Sequence, residues 1–295
     1  SCSSASPVAF ITATPGSASF CVGGSVGITA TGSSIYIWSP AAGLSATTGA
    51  SVTADPTVTT TYTITGTSGC GNISTVVTVT VDPLPILTAT PSSPSVCAGN
   101  SVSVSVSGAN TYTWLPATGL SAATGSTVTA NPTATTTYTI TGSNASGCSA
   151  NSSITVTVNN VPVLTASANS TVCSGQFVLL TAAGAVNYTW YPSSGLSATT
   201  GSNVIANPAG TTTYSIVGTS SGGCSDTAFV TVTSNSVPVI TASAGTAVCV
   251  GSTISLTASG AVNYTWLPSS GLSATTGANV NANPTTTTTY TIIGS

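Results

Sequence analysis

The chain is 295 residues long, and 1% of them are charged. Lysine, arginine, histidine and methionine are absent, and the only acidic residues are Asp55, Asp82 and Asp226. Phosphates are neutralised by Lys and Arg, so nucleic-acid binding is excluded, as is a polybasic membrane patch. Most general acid–base side chains are missing as well. Hydrophobic residues make up 41% of the chain, which separates it from disordered segments of low apolar content. No apolar run approaches ~18 residues, so no membrane insertion is expected. No signal-peptide pattern is visible, and the reading is of a mature chain or an excerpt of a longer one.

An internal repeat dominates the organisation. Trp38, Trp114, Trp190 and Trp266 are evenly spaced at 76 residues. Tyr62, Tyr138, Tyr214 and Tyr290 keep the same step, as do Cys21, Cys97, Cys173 and Cys249, and Pro40, Pro116, Pro192 and Pro268. Short Pro-containing seams at Pro83-Leu84-Pro85, Val161-Pro162 and Val237-Pro238 divide the chain into blocks 1–82, 83–160, 161–236 and 237–295. Joints this short suit stiff, closely spaced domains better than a floppy string. The fourth block stops before its last expected strand and second cysteine, so the reading expects an excerpt or completion by a neighbouring molecule.

Within the second block the expected strands, in chain order, are 86–90, 101–107, 111–116, 127–132, 136–142 and 153–158. Each alternates apolar and polar residues with period two, and Gly, Pro, Asn and Ser separate them. About six strands per block, with no helical periodicity, predict an all-β chain: a tandem array of four Ig-like antiparallel β-sandwich domains, the last one incomplete. Alternation points Val102, Val104 and Val106 inward, with their counterparts Val26, Ile28 and Ala30, Val178, Leu180 and Ala182, and Ile254, Leu256 and Ala258. Tyr112 and Trp114 share a face. The four tryptophans and the four repeated tyrosines are the expected core anchors.

The string Y-x-W-x-P-x-x-G-L-S-x-x-T-G-x-x-V, followed by N-P and T-T-T-Y-T-I-x-G, carries a family resemblance. It resembles the Ig-like, PKD-like repeats of secreted Bacteroidota surface proteins, including SprB-like gliding adhesins and other type IX secretion substrates. The resemblance covers nearly the whole chain, four times over. It implies an extracellular, cell-surface repeat protein that serves adhesion, and it transfers no catalytic or ligand residue. The C-terminal sorting domain of that family is not in this sequence. The cysteines also do not bracket the tryptophan as in antibody domains, so no bridge packed on the indole is expected.

Eight cysteines stand at Cys2, Cys21, Cys70, Cys97, Cys148, Cys173, Cys224 and Cys249. They lack the clustered spacing and histidines of a zinc site, so paired bridges in an oxidising compartment are expected. The first scheme closes each block on itself: Cys21–Cys70, Cys97–Cys148 and Cys173–Cys224. The second staples neighbouring blocks: Cys2–Cys21, Cys70–Cys97, Cys148–Cys173 and Cys224–Cys249.

Other site readings are few. Without His or Lys, no Ser or Thr has an activating base, and no enzyme is expected. The three aspartates occupy different places in the repeat, so no calcium site, other metal or cofactor is expected. Asp226-Thr227-Ala228 matches a short O-glycosylation pattern of Bacteroidota, which makes Thr227 a candidate. In the third block Phe177, Leu179 and Tyr191 replace small polar residues on the outer face. They form an expected contact patch, with Phe177 and Leu179 buried by another domain or chain. Neutral Thr/Val edges, unguarded by Lys, should self-associate into a fibre or filament unless covered. The functional expectation is an extracellular stalk, surface fibre or filament. The alternative is a carbohydrate- or ice-binding module on a surface adhesin, with surface glycans as partners.

Overall fold

The computed structural model describes residues 10–68 and 71–295. The chain is all-β, built as tandem Ig-like sandwiches. The first repeat contributes β1 (Thr12–Thr14), β2 (Ser17–Cys21), β3 (Val26–Thr31), β4 (Tyr36–Ser39), β5 (Ser51–Ala54), β6 (Thr60–Ser68) and β7 (Gly71–Asp82). The second contributes β8 (Thr88–Thr90), β9 (Ser95–Cys97), β10 (Val102–Ser107), β11 (Thr111–Leu115), β12 (Thr127–Ala130), β13 (Thr136–Ser143) and β14 (Ser149–Asn159). The third contributes β15 (Thr165–Ala166), β16 (Ser170–Cys173), β17 (Val178–Ala183), β18 (Asn187–Tyr191), β19 (Asn203–Ala206), β20 (Thr212–Thr219) and β21 (Ser225–Asn235). The fourth contributes β22 (Thr241–Ala242), β23 (Ile254–Ser259), β24 (Tyr264–Leu267), β25 (Asn279–Ala282) and β26 (Thr291–Gly294).

Each of the first three repeats pairs a three-stranded sheet with a four-stranded one. In the second, the orders are β8-β10-β12 and β9-β14-β13-β11. All pairings within these sheets are antiparallel except one. The short strand β9 runs parallel to β14, with Cys97 opposite Asn159. The same parallel pair recurs as β2–β7, with Cys21 opposite Asp82, and as β16–β21, with Cys173 opposite Asn235.

Alternation sorts each strand into an inner and an outer face. Val104, Val106, Tyr112, Trp114, Val128, Tyr138, Ile140, Ile154 and Val156 are buried together. Equivalent clusters form in the first and third repeats, and a smaller one surrounds Trp266 in the fourth. The outer faces are largely hydroxyl. Cross-strand threonines bond each other there: Thr61 and Thr78 at 3.0 Å, Thr137 and Thr155 at 2.8 Å, Thr213 and Thr231 at 2.8 Å. Cross-strand pairs of this kind contribute roughly 0.2–1 kcal/mol each. One strand glycine in each repeat is needed for packing: Gly66, Gly142, Gly218 and Gly294. A Cβ on Gly142 would lie 2.5 Å from Leu87 Cδ2, so this position lets Leu87 reach the core.

By compactness the chain divides into two units. One is Ser1–Val161 with Gly222–Cys224, the other Pro162–Ser221 with Ser225–Ser295.

Candidate functional site

The repeated motif builds a clasp around each indole. The loop after the Trp strand carries the G-L-S-x-x-T-G string back across the sheet. Trp114 donates from Nε1 to the Gly125 carbonyl at 2.9 Å, and its backbone N–H donates to Ala123. Trp38, Trp190 and Trp266 make the same bonds to Gly49, Gly201 and Gly277. The loop is tied down by Ser121, whose Oγ accepts from Thr129 N at 2.9 Å. All four indoles are buried. A stacking platform for a ligand would need an exposed ring face, and these rings have none.

The repeated tyrosines lock the same loop from the other side. Tyr62, Tyr138, Tyr214 and Tyr290 donate to the carbonyls of Ala42, Thr118, Ser194 and Ser270. Burial pushes the hydroxyls of Tyr62, Tyr138 and Tyr214 above the ordinary tyrosine value. At Tyr62 the Asp55 carboxylate pushes in the same direction, while hydrogen bonding with Thr60 pulls slightly the other way.

The cysteines correct both expected schemes. Cys21 is bonded to Cys148 and Cys97 to Cys224, with Cα–Cα separations of 5.5 and 5.6 Å. Neither bond is the expected Cys21–Cys70, Cys97–Cys148 or Cys173–Cys224. Both also replace the alternative pairs Cys2–Cys21, Cys70–Cys97, Cys148–Cys173 and Cys224–Cys249. Cys173 and Cys249 are free and exposed. Cys2 and Cys70 lie outside the described residues.

The parallel strand explains the error. Cys148 stands just before β14, and Asn159 ends it. At ~3.3 Å per residue that strand holds its two ends about 35 Å apart. Cys97 sits beside Asn159, so the two cysteines of one repeat are at opposite ends of the sandwich. A disulfide needs Cα atoms within roughly 7 Å. The cysteine at the far end meets the hairpin cysteine of the following repeat instead.

Polar contacts cluster at these junctions. Ser146 Oγ bonds Asp82 Oδ1 at 2.9 Å, and Asn144 Nδ2 donates to the Pro83 carbonyl at 2.9 Å. Asn144 Oδ1 accepts from Cys148 N. At the next junction Asn159 Nδ2 donates to the Gly222 carbonyl at 3.2 Å. A Cβ on Gly222 would lie 2.5 Å from Asn159 Cγ, so glycine permits the approach. Asp226 accepts from the backbone N–H groups of Leu164 and Thr227. Sequence reasoning kept the aspartates apart but missed what Asp82 and Asp226 hold. The available signal was that Asp82 immediately precedes a Pro-containing seam.

The expected contact patch does not form as one surface. Phe177 precedes β17, Leu179 lies on it, and Tyr191 ends β18; β17 and β18 belong to opposite sheets. Phe177 is 71% exposed, Leu179 59% and Tyr191 55%, so no described residue buries them. Leu179 is instead joined across the sheet by Ile205, and Tyr191 lies in a row with Ser215 and Phe229. Ile205 and Phe229 were missed because each is a single outward apolar residue in an otherwise regular strand. Thr227 is exposed on β21.

No protein-family model matches the chain, and no curated protein matches it. Solved structures resemble it at low identity. A three-Ig fragment of titin shares 15% identity, covering 74% of this chain and 95% of the fragment, with a TM-score of 0.40. Three N-terminal domains of the highly immunogenic outer capsid protein of bacteriophage RB49 share 16%, covering 77% and 98%, with a TM-score of 0.40. Eight N-terminal Ig domains of the Down syndrome cell adhesion molecule share 11%, covering 92% and 50%, with a TM-score of 0.31.

Proposed function

We propose that the chain is an extracellular structural and adhesive repeat protein, serving as a stalk or surface fibre whose repeats are coupled covalently. One observation carries this reading: the two described bridges each join a repeat to its successor. A bridge inside a domain stabilises that domain. A bridge between domains keeps neighbours attached when load or proteolysis reaches the seam. Persistent bridges also belong to an oxidising, extracellular compartment. The uncharged hydroxyl faces lack the repulsion that keeps sheet edges apart, which supports lateral association into fibres at a cell surface. Thr227, exposed beside Asp226, is the position at which we place glycosylation.

The test is electron microscopy of the purified chain at rising concentration, before and after reduction. Ordered fibres that fray on reduction are expected. Dispersed monomers at every concentration, together with binding on a glycan array, would replace this reading with the binding-module one.

A further inference from the structure

The outer face of the four-stranded sheet in the third repeat departs from its counterparts. One row across β18, β20 and β21 reads Tyr191, Ser215 and Phe229. The same row is Ser39, Thr63 and Val76 in the first repeat, and Leu115, Thr139 and Ser153 in the second. Tyr191 and Phe229 are both more than half exposed. Two strand spacings separate them, about 9.5 Å, with the small Ser215 between. Hydroxyls border the pair. Thr227 lies on the same face of β21, and Thr213 and Thr231 bond each other at 2.8 Å one row further on.

The electrostatics of this face select its partner. Asp226 is the sole charged residue of block 161–236. It alternates with Thr227 along β21, off the outer face, and its carboxylate accepts from the N–H groups of Leu164 and Thr227. A nucleic acid or an acidic polysaccharide would find no cation here to meet it. Ordinary proteins are about a quarter charged, and docking one here would strip water from charges without pairing them. A second copy of this chain is neutral enough, but a stable protein interface buries about 800 Å² per partner around an apolar core. Here a hydroxyl residue sets the two rings apart. An uncharged sugar chain fits each feature: its C–H faces stack on aromatic rings, and its hydroxyls bond the neighbouring Ser and Thr.

We infer that this face binds an uncharged, extended polysaccharide of β-1,4-linked pyranoses. In such a chain every second sugar repeats the same orientation, and that repeat is close to the distance between Tyr191 and Phe229. The two rings stack on alternate sugars of a chain running across the strands, and Ser215 meets the sugar between them. This inference rests on the adhesive part of the function proposed above and supplies its ligand class. Thr227 borders the platform, so a glycan attached there would compete for the same rings.

The test titrates cellohexaose into the full 295-residue chain, made without glycosylation, by isothermal calorimetry. One-to-one binding is expected, with clearly weaker binding of maltohexaose, whose α-linkages curl the chain. Tyr191→Ala and Phe229→Ala should each weaken cellohexaose binding about tenfold. Tyr191→Phe and Phe229→Tyr should keep it within about threefold, as should Leu179→Ser on the opposite sheet. Both rings are exposed, so the alanine variants should melt within about 2 °C of the parent chain. Absent binding, equal binding of the two hexaoses, or alanine variants that bind like the parent would overturn the inference. So would a dimer in sedimentation that both alanine variants dissolve, which would give the face to a second copy. Fibre formation is read separately. Fibres without sugar binding remove this inference and keep the structural reading, and sugar binding without fibres does the reverse.

Discussion

At the scale of single residues, the repeat is organised by an indole and two phenols. Trp114 fills the centre of its sandwich, and its Nε1 holds the loop at Gly125. Trp114→Ala should cost about 3–5 kcal/mol through the cavity left behind. Trp114→Phe should cost roughly 1–3 kcal/mol, because it also strands the Gly125 carbonyl. Chemical denaturation of both variants checks this, and an unchanged Trp114→Phe midpoint would show that the clasp bond contributes nothing. The phenols set the pH dependence. Burial raises the folded pKa of Tyr62, Tyr138 and Tyr214 above the unfolded value of about 10. The neutral form is therefore favoured in the folded state, and the contribution is fully present below about pH 10. It is lost as pH climbs through the folded values, where the ionised oxygen can no longer donate to its carbonyl. The chain carries three carboxylates and no Lys, Arg or His. The melting temperature should stay nearly flat from pH 5 to 9 and fall above about 10. A fall that begins near neutrality would contradict the assignment.

At the scale of elements, most strands were legible in the sequence, because a half-buried strand must alternate with period two. The segment 101–107 reads S-V-S-V-S-V-S, and β10 covers Val102–Ser107 with Val104 and Val106 buried. The tryptophan strand was legible for the same reason. What alternation does not encode is the direction of a partner. The strand β9 is three residues long, too short to announce itself, and its parallel alignment with β14 decides where Cys97 lies. A scheme that closes each block on itself needs its two cysteines to meet, and this alignment puts them at opposite ends of the sandwich. The outward residues of the third repeat failed for a related reason: strand phase says a side chain faces out, but not which of two sheets carries it. A single variant tests the corrected pairing. In Cys148→Ser, alkylation in denaturant without reductant should label Cys21 together with Cys173 and Cys249. Label on Cys97 instead of Cys21 would restore the bridge within one repeat.

At the scale of the whole molecule, the separation of cores from bridges makes reduction and unfolding distinct events. Each repeat encloses its own tryptophan cluster, and no bridge described lies inside a cluster. The bonds Cys21–Cys148 and Cys97–Cys224 each span 127 residues of sequence. In the chain-entropy model a closed loop of that length restricts the unfolded chain by about 5 kcal/mol. Removing the bridges should therefore release the unfolded ensemble while leaving the native packing of each repeat in place. The variant Cys21→Ser/Cys97→Ser should keep the near-ultraviolet circular dichroism of its buried tryptophans at 25 °C. Its melting temperature should drop by about 10 °C or more, given roughly 2–4 °C per kcal/mol for a cooperative unit of this size. The transition should also broaden as repeats that unfolded together begin to unfold separately. Calorimetry checks this through the ratio of calorimetric to van't Hoff enthalpy, which rises when one cooperative unit becomes several. Loss of the near-ultraviolet signal at 25 °C would mean that the bridges hold the individual sandwiches together. In that case the covalent links would be fold-forming staples, and the reading of the repeats as independently folded building material would fail.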